Sequence, residues 1–171
     1  MSQPNIILTG FMGTGKSTVG RLLAEKIGYR FIDTDTLIEQ QTGTTVSEIF
    51  ATQGEKAFRQ LETDLVKKLA EKSGLVVATG GGLVLDRENV TMLSRTGQIF
   101  CLTATAEEIL HRVSRQGDTR PLLQEQDPLQ KITTLLQQRD HIYRQFPQIS
   151  TTGKTPEKLV KEVLSMTQKN F

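Results

Sequence analysis

Gly10-Phe11-Met12-Gly13-Thr14-Gly15-Lys16-Ser17 is a complete G-x-x-x-x-G-K-[ST] string, set directly after the apolar run Ile6-Ile7-Leu8 and directly before a helical pattern. Strand, glycine-rich turn and helix in that order predict a phosphate-binding loop. Its glycines let backbone N–H groups close around the β- and γ-phosphates of a nucleotide, and the helix behind them points its positive end at the same anion. Lys16 is expected to reach the β/γ oxygens as a point charge and the Ser17 hydroxyl to ligate Mg2+. ATP is thus expected along Gly13, Thr14, Gly15, Lys16, Ser17 and Thr18. The plain alternative is a glycine-rich turn with no ligand, and the strand and helix on its flanks weigh against it.

Composition limits what surrounds this loop. The chain of 171 residues, 36% hydrophobic, fits one domain over 1–171. That size buries about 70% of the surface an unfolded chain exposes. The single cysteine, Cys101, lies in Ile99-Phe100-Cys101-Leu102 and is expected to be a small buried hydrophobe, which leaves no disulfide within the chain and no metal cluster. Met1-Ser2-Gln3-Pro4 lacks a signal-peptide pattern, and no apolar run reaches about 18 residues, so a cytoplasmic protein with no membrane partner is expected. Net charge is +2, from 21 basic and 19 acidic residues, which provides no broad footprint for nucleic acid. Functional arginines therefore act singly, at a site, and a monomer is expected.

Five short apolar runs, at Ile6–Leu8, Tyr29–Ile32, Leu75–Ala78, Ile99–Leu102 and Gln148–Ser150, alternate with helical patterns. This predicts an α/β three-layer sandwich, a five-stranded parallel sheet with helices on both faces. The first helix gathers Val19, Leu22, Leu23 and Ile27 on one face and stops at Gly28. Thr45 with Glu48 and Thr105 with Glu108 read as capping boxes; Asp127-Pro128 and Thr155-Pro156 read as caps with proline at the first helical position. A long helix is expected from about Gly54 to Lys72, with Phe58, Leu61, Leu65 and Leu69 as its core stripe. Ser114 to Gln126 is polar and turn-rich and reads as a mobile lid between two helices.

In an open parallel sheet the ligand lies outside the carboxyl ends of the strands. Asp33-Thr34-Asp35 follows the second run, and residues two apart in an extended segment point the same way, so both carboxylates are expected to face one cleft. Asp33 is a candidate Mg2+ ligand, directly or through water, and Asp35 a candidate to orient or deprotonate an acceptor hydroxyl. The alternative is a solvated turn in which Asp35 caps a helix starting near Thr36. Thr79-Gly80-Gly81-Gly82 follows the third run and permits close backbone approach to a substrate, although a plain loop has the same pattern. No aspartate ends that strand in the usual Walker B place, which shifts the metal-holding role toward Asp33.

Four arginines carry two readings each. Arg59, beside Phe58, has Glu55 four residues before and Glu62 three after, the pattern of an ordinary intrahelical ion pair. Arg120, before Pro121-Leu122-Leu123, is either a surface residue or one that arrives over the phosphates when the lid closes. Arg139 stands near a helix end, where the dipole alone favours it, and Arg112 follows His111 on what reads as a solvated face. His111 and His141 have no triad or metal partner in the sequence and read as surface or lining residues.

Taken in order, the loop Gly10–Ser17, Asp33-Thr34-Asp35, Gly54-Glu55 with Phe58-Arg59 and Glu62, Thr79–Gly82, Arg120-Pro121-Leu122-Leu123 and Arg139 with Tyr143 make the chain resemble shikimate kinase over nearly its whole length. The resemblance implies a nucleoside-monophosphate-kinase-like fold with strand order 2-3-1-4-5. It also implies ATP-dependent phosphorylation of the shikimate 3-hydroxyl, giving shikimate 3-phosphate and ADP, in aromatic amino-acid biosynthesis. By position it implies that Lys16 and Arg120 stabilise the transferring phosphoryl group, that Ser17 and Asp33 hold Mg2+, and that Asp35 engages the ring hydroxyls as candidate base. Arg59 and Arg139 would clamp the carboxylate, Gly81 and Gly82 would supply backbone contacts, and Arg112 and the loop before Pro156 would flank the adenine. The residue chemistry agrees, because a loose phosphoryl-transfer transition state needs positioning and positive charge, and guanidinium forks suit a small carboxylate better than lysines do.

Other readings are distinguishable. Another small-molecule kinase of this architecture, such as a gluconate kinase, would share loop and lid but lack the combined Asp33/Asp35, Arg59, triple-glycine and Arg139 set. A GTPase-like switch would carry an Asn-Lys-x-Asp motif, which this chain lacks. A non-catalytic nucleotide-binding regulator is expected to have lost Lys16, Asp35 or Arg120, and all are present.

Overall fold

The computed structural model describes residues 3–115 and 126–168. Strands β1 (Asn5–Thr9), β2 (Arg30–Asp33), β3 (Leu75–Ala78), β4 (Gly97–Thr103) and β5 (Gln148–Ser150) form one five-stranded sheet in the order β2-β3-β1-β4-β5. Every pairing is parallel, with Ile6 opposite Val76 and Ile7 opposite Ile99. All five apolar runs are strands, in the expected order. Because the strands are parallel, the chain leaves each of them at the same edge, which brings the segments after β1, β2 and β3 together.

Helices α1 (Lys16–Ile27), α2 (Thr34–Thr42), α3 (Val46–Leu69), α4 (Arg87–Ser94), α5 (Ala106–Arg115), α6 (Pro128–Tyr143) and α7 (Pro156–Gln168) flank the sheet. Strand side chains alternate between faces, so β1 contributes to two cores. Ile6 and Leu8 pack with Val19 and Leu23 of α1 and Leu159, Val160 and Val163 of α7. Ile7 packs with Phe58, Leu65 and Leu69 of α3, Ile109 of α5 and Ile132 of α6. Cys101 is fully buried in that second core, as a small hydrophobe.

Most helix ends follow the expected chemistry. Gly28 ends α1 with φ 71, the Thr45/Glu48 capping box is complete, Asp127 caps α6 ahead of Pro128, and the Thr155 hydroxyl accepts from the Lys158 N–H ahead of α7. Thr105/Glu108 is only half a box. The Glu108 N–H donates to Thr105 Oγ1, but the Glu108 carboxylate is engaged by Arg112 and Thr152. The long helix also differs from expectation: α3 begins at Val46, is interrupted at Gly54 (φ 82, ψ 171) and ends at Leu69, so Gly54 joins two helical segments rather than starting one. Within it Phe58, Leu65 and Leu69 are buried and Leu61 is partly buried. Helix α5 continues through Arg115, which makes Ser114 and Arg115 helical rather than part of a lid. Residues 116–125 of the expected lid, with Arg120, lie outside the described residues. Among the described residues no helix is long and apolar enough to cross a membrane.

Candidate active site

The loop after β1 is built by close approach. A Cβ at Gly10 (φ 134) would stand 2.2 Å from the Leu102 carbonyl oxygen on β4, so only glycine lets the chain curl back there. The buried Thr14 hydroxyl donates to the Phe11 carbonyl at 2.8 Å and holds the curl. Gly15 is the N-cap of α1 and brings no capping side chain, so nothing on the cap competes for the first helical N–H groups, as an anion site requires. Lys16 Nζ donates to the carbonyls of Gly10 (2.9 Å) and Phe11 (2.8 Å), which stations the ammonium against the loop backbone. Thr18 is exposed in the first turn of α1.

Ser17 Oγ donates to Asp33 Oδ2 at 2.6 Å and so ties the loop to the end of β2. Asp33 Oδ1 accepts from the Thr36 N–H at 3.2 Å, and Asp33, not Asp35, caps α2, which begins at Thr34. Both readings of Asp35 therefore change: it neither caps a helix nor shares an extended segment with Asp33, but sits in the first helical turn. The helical turn still brings the two carboxylates within each other's field. Burial, and then the charge of Asp33, raise the Asp35 pKa, while Lys16 opposes the rise. Asp35 Oδ1 is buried with no hydrogen-bond partner.

The triple glycine after β3 packs against functional groups rather than forming a plain loop. A Cβ at Gly80 would lie 2.6 Å from Asp35 Oδ1 and 3.1 Å from Glu62 Oε1; at Gly81, 3.4 Å from Arg139 Nη1; at Gly82, 2.5 Å from both terminal nitrogens of Arg59. Gly82→Ala is therefore a selective lesion. Its φ of −96 and ψ of −8 suit alanine, so the fold holds and the Arg59 guanidinium is pushed aside. KM for shikimate, the acceptor that the resemblance implies, is expected to rise by about tenfold or more with nucleotide KM unchanged. Steady-state kinetics with each substrate varied in turn check this, and an unaltered shikimate KM would remove Arg59 from the site.

Arg59 does make the surface pair expected of its spacing, with Glu55 at 3.1 Å. Its second partner is different in kind. Glu62 is 0% exposed, accepts from Arg59 Nη1 at 2.7 Å through Oε2, and leaves Oε1 buried without a partner. From sequence Glu62 reads as an i+3 ion-pair partner of Arg59 and as one residue of the shikimate kinase pattern, not as a buried carboxyl. The missed signal was spacing, since Glu62 falls on the buried stripe of Phe58, Leu65 and Leu69.

Burial is the main cause that pushes the Glu62 carboxyl from 4.5 to about 7; the Arg59 hydrogen bond and charge pull it down, and Asp35 adds to the rise. The folded protein thus keeps this proton to higher pH than the unfolded chain. Its stabilising contribution is complete below pH 4.5 and is lost as pH rises through about 7, amounting to up to about 3 kcal/mol. In urea titrations, wild-type stability is expected to fall relative to Glu62→Gln between about pH 5 and about pH 8. Parallel stability curves for the two proteins would contradict the shifted carboxyl.

Arg139 is not a bare helix-end charge. Its guanidinium carbon lies 5.4 Å from the Phe11 ring centroid, and it shares the surroundings of Gly81 with Tyr143, whose hydroxyl donates to the Gly81 carbonyl at 2.7 Å. Phe11, an unspecified position of the loop motif, was not singled out in the sequence. Arg112 leaves the solvated face assigned to it: Nη1 donates to the Gly13 carbonyl (3.2 Å) and to Thr151 Oγ1 (3.0 Å), which links the loop to the segment ahead of the half-buried Pro156. His111 and His141 are both exposed.

A shikimate kinase family model matches residues 12–168. The shikimate kinase of Thermodesulfovibrio yellowstonii is 45% identical over 161 residues, covering 94% of this chain and 92% of that protein. The solved shikimate kinase of Acinetobacter baumannii in complex with shikimate has a TM-score of 0.90 at 40% identity, covering 98% of this chain and 94% of that one. A gluconokinase from Sinorhizobium meliloti shares the fold alone, with a TM-score of 0.61 at 20% identity over 98% of this chain and 93% of that one. The chain belongs to the shikimate kinase family.

Proposed function

We propose that this site transfers the γ-phosphoryl group of ATP to the 3-hydroxyl of shikimate, yielding shikimate 3-phosphate and ADP for aromatic amino-acid biosynthesis. The observation that carries the reading is the Gly80–Gly82 turn, where bare backbone meets Asp35, Arg139 and Arg59 beside the phosphate loop. Two guanidinium groups match a carboxylate, and a carboxylate with a buried, unpartnered oxygen matches ring hydroxyls.

In this mechanism Arg59, Arg139 and the N–H groups of Gly81 and Gly82 hold the substrate carboxylate, which fixes the ring. Asp35 accepts the proton of the 3-hydroxyl as that oxygen attacks the γ-phosphorus and the bond to the β-phosphate oxygen breaks. Lys16 exchanges its carbonyl partners for phosphate oxygens, and the N–H groups of Gly13 to Thr18 cradle the β-phosphate. Arg120, from the lid, joins Lys16 on the transferring group, and Arg112 with the segment at Pro156 flanks the adenine. The Ser17 hydroxyl and the Asp33 carboxylate, 2.6 Å apart, are hard oxygen donors of the kind Mg2+ takes. When bound, the ion neutralises charge on the phosphate oxygens.

The reading includes a single kinase domain acting as a cytoplasmic monomer. Phe50 is the one exposed large hydrophobic side chain among the described residues, so they present no broad apolar face to a partner. Sedimentation at assay concentration tests that part. A coupled ATPase assay across shikimate, gluconate and nucleoside monophosphates tests the reaction: shikimate alone is expected to accelerate turnover, and acceleration by another acceptor in its place overturns the assignment.

A further inference from the structure

Tyr143 closes α6 one turn after Arg139 and is 5% exposed. Its hydroxyl donates to the Gly81 carbonyl at 2.7 Å, and a Cβ at Gly81 would lie 3.6 Å from that hydroxyl and 3.4 Å from Arg139 Nη1, so both groups border the same glycine. A phenol has one proton, so with that proton on Gly81 only its lone pairs are left to face a neighbouring cation. The peptide linking Gly81 to Gly82 is planar and trans, so a carbonyl held toward Tyr143 turns the Gly82 N–H to the opposite side. Gly82 itself lies under Arg59, where a Cβ would displace the guanidinium. One hydroxyl thereby fixes the glycine that Arg139 borders, aims the Gly82 N–H through a rigid unit, and holds the surface on which Arg59 rests.

We propose that Tyr143 is a positioning residue that presets the carboxylate-binding geometry, an inference resting on the reading of Arg59 and Arg139 as the carboxylate clamp. A loose backbone unit loses freedom when substrate arrives; one held beforehand has already lost it, so the hydroxyl acts on substrate binding rather than on the chemical step.

The experiment compares wild type, Tyr143→Phe, Arg139→Lys and the control Tyr29→Phe, using shikimate and its neutral carboxamide as substrates. Tyr143→Phe keeps the ring and loses the hydroxyl. It is expected to raise shikimate KM by about fivefold to tenfold, the effect of one lost hydrogen bond, with kcat and ATP KM within about twofold. The preference for carboxylate over carboxamide is expected to shrink by a similar factor, a change that a merely structural role would not produce. Should the variant not fold, 3-fluorotyrosine at position 143 strengthens the hydroxyl as a donor to the Gly81 carbonyl and is expected to lower shikimate KM by up to about twofold with ATP KM unchanged, and an unchanged shikimate KM there overturns the role. Unchanged KM and preference at position 143, with both lost in Arg139→Lys, overturns the role of the tyrosine alone; both unchanged in Arg139→Lys as well overturns the clamp. An equal loss for acid and amide also overturns the proposal, because it makes Tyr143 a general packing residue.

Discussion

Lys16→Met is expected to lower kcat by about a hundredfold or more, the scale of one electrostatic contact to a transferring phosphoryl group. The substitution nearly conserves length and volume. The loop's shape is carried by other features, the close approach of Gly10 to Leu102 and the bond from Thr14 to the Phe11 carbonyl, so the fold survives. What disappears is the one ammonium stationed at the Gly10 and Phe11 carbonyls, from which it needs only a side-chain rotation to meet an incoming anion. Single-turnover kinetics, with circular dichroism to establish folding, decide the matter. Near-normal turnover in a folded variant would assign Lys16 to loop structure alone.

Asp35→Asn is expected to reduce shikimate-dependent turnover by about a hundredfold to ten-thousandfold, the usual span for a lost general base, with MgATP binding intact. Asparagine preserves size and hydrogen bonding but cannot take the hydroxyl proton. Asp33→Asn should behave differently. Asparagine can still cap α2, while the Ser17–Asp33 pair loses its charge, so the Mg2+ concentration needed for half-maximal rate should rise. Titrating Mg2+ and nucleotide against each variant separates the two carboxylates, and identical behaviour would sink the division of labour.

The two aspartates also mark the limit of reading from sequence. Either one, by composition, serves as a cap. The choice fell to Asp33 because the β2 ladder runs one residue further than the apolar pattern, pairing Asp33 with Ala78 and leaving it at φ −103 and ψ 121, the extended geometry a cap needs. Likewise Glu108 had the spacing of a capping box, but Arg112, drawn to Gly13 and Thr151, engages its carboxylate. In both places a tertiary partner settled a contest that local rules left even.

The sequence by itself determined the phosphate loop, the five strands and most helix ends, because these depend on period-two and period-3.6 patterning, glycine geometry and caps, all of which act within a few residues. Only the tertiary structure decided what those elements enclose. Tyr143 and Gly81 are separated by 62 positions, yet they share a 2.7 Å bond. Glu62 became a buried, proton-retaining group only when β3 delivered Gly80 and α2 delivered Asp35 against it. Arg139 found the face of Phe11 in the same way. Local spacing specifies which side of a helix a residue occupies, but the field and solvent access that give it a chemical role come from the segment packed across from it.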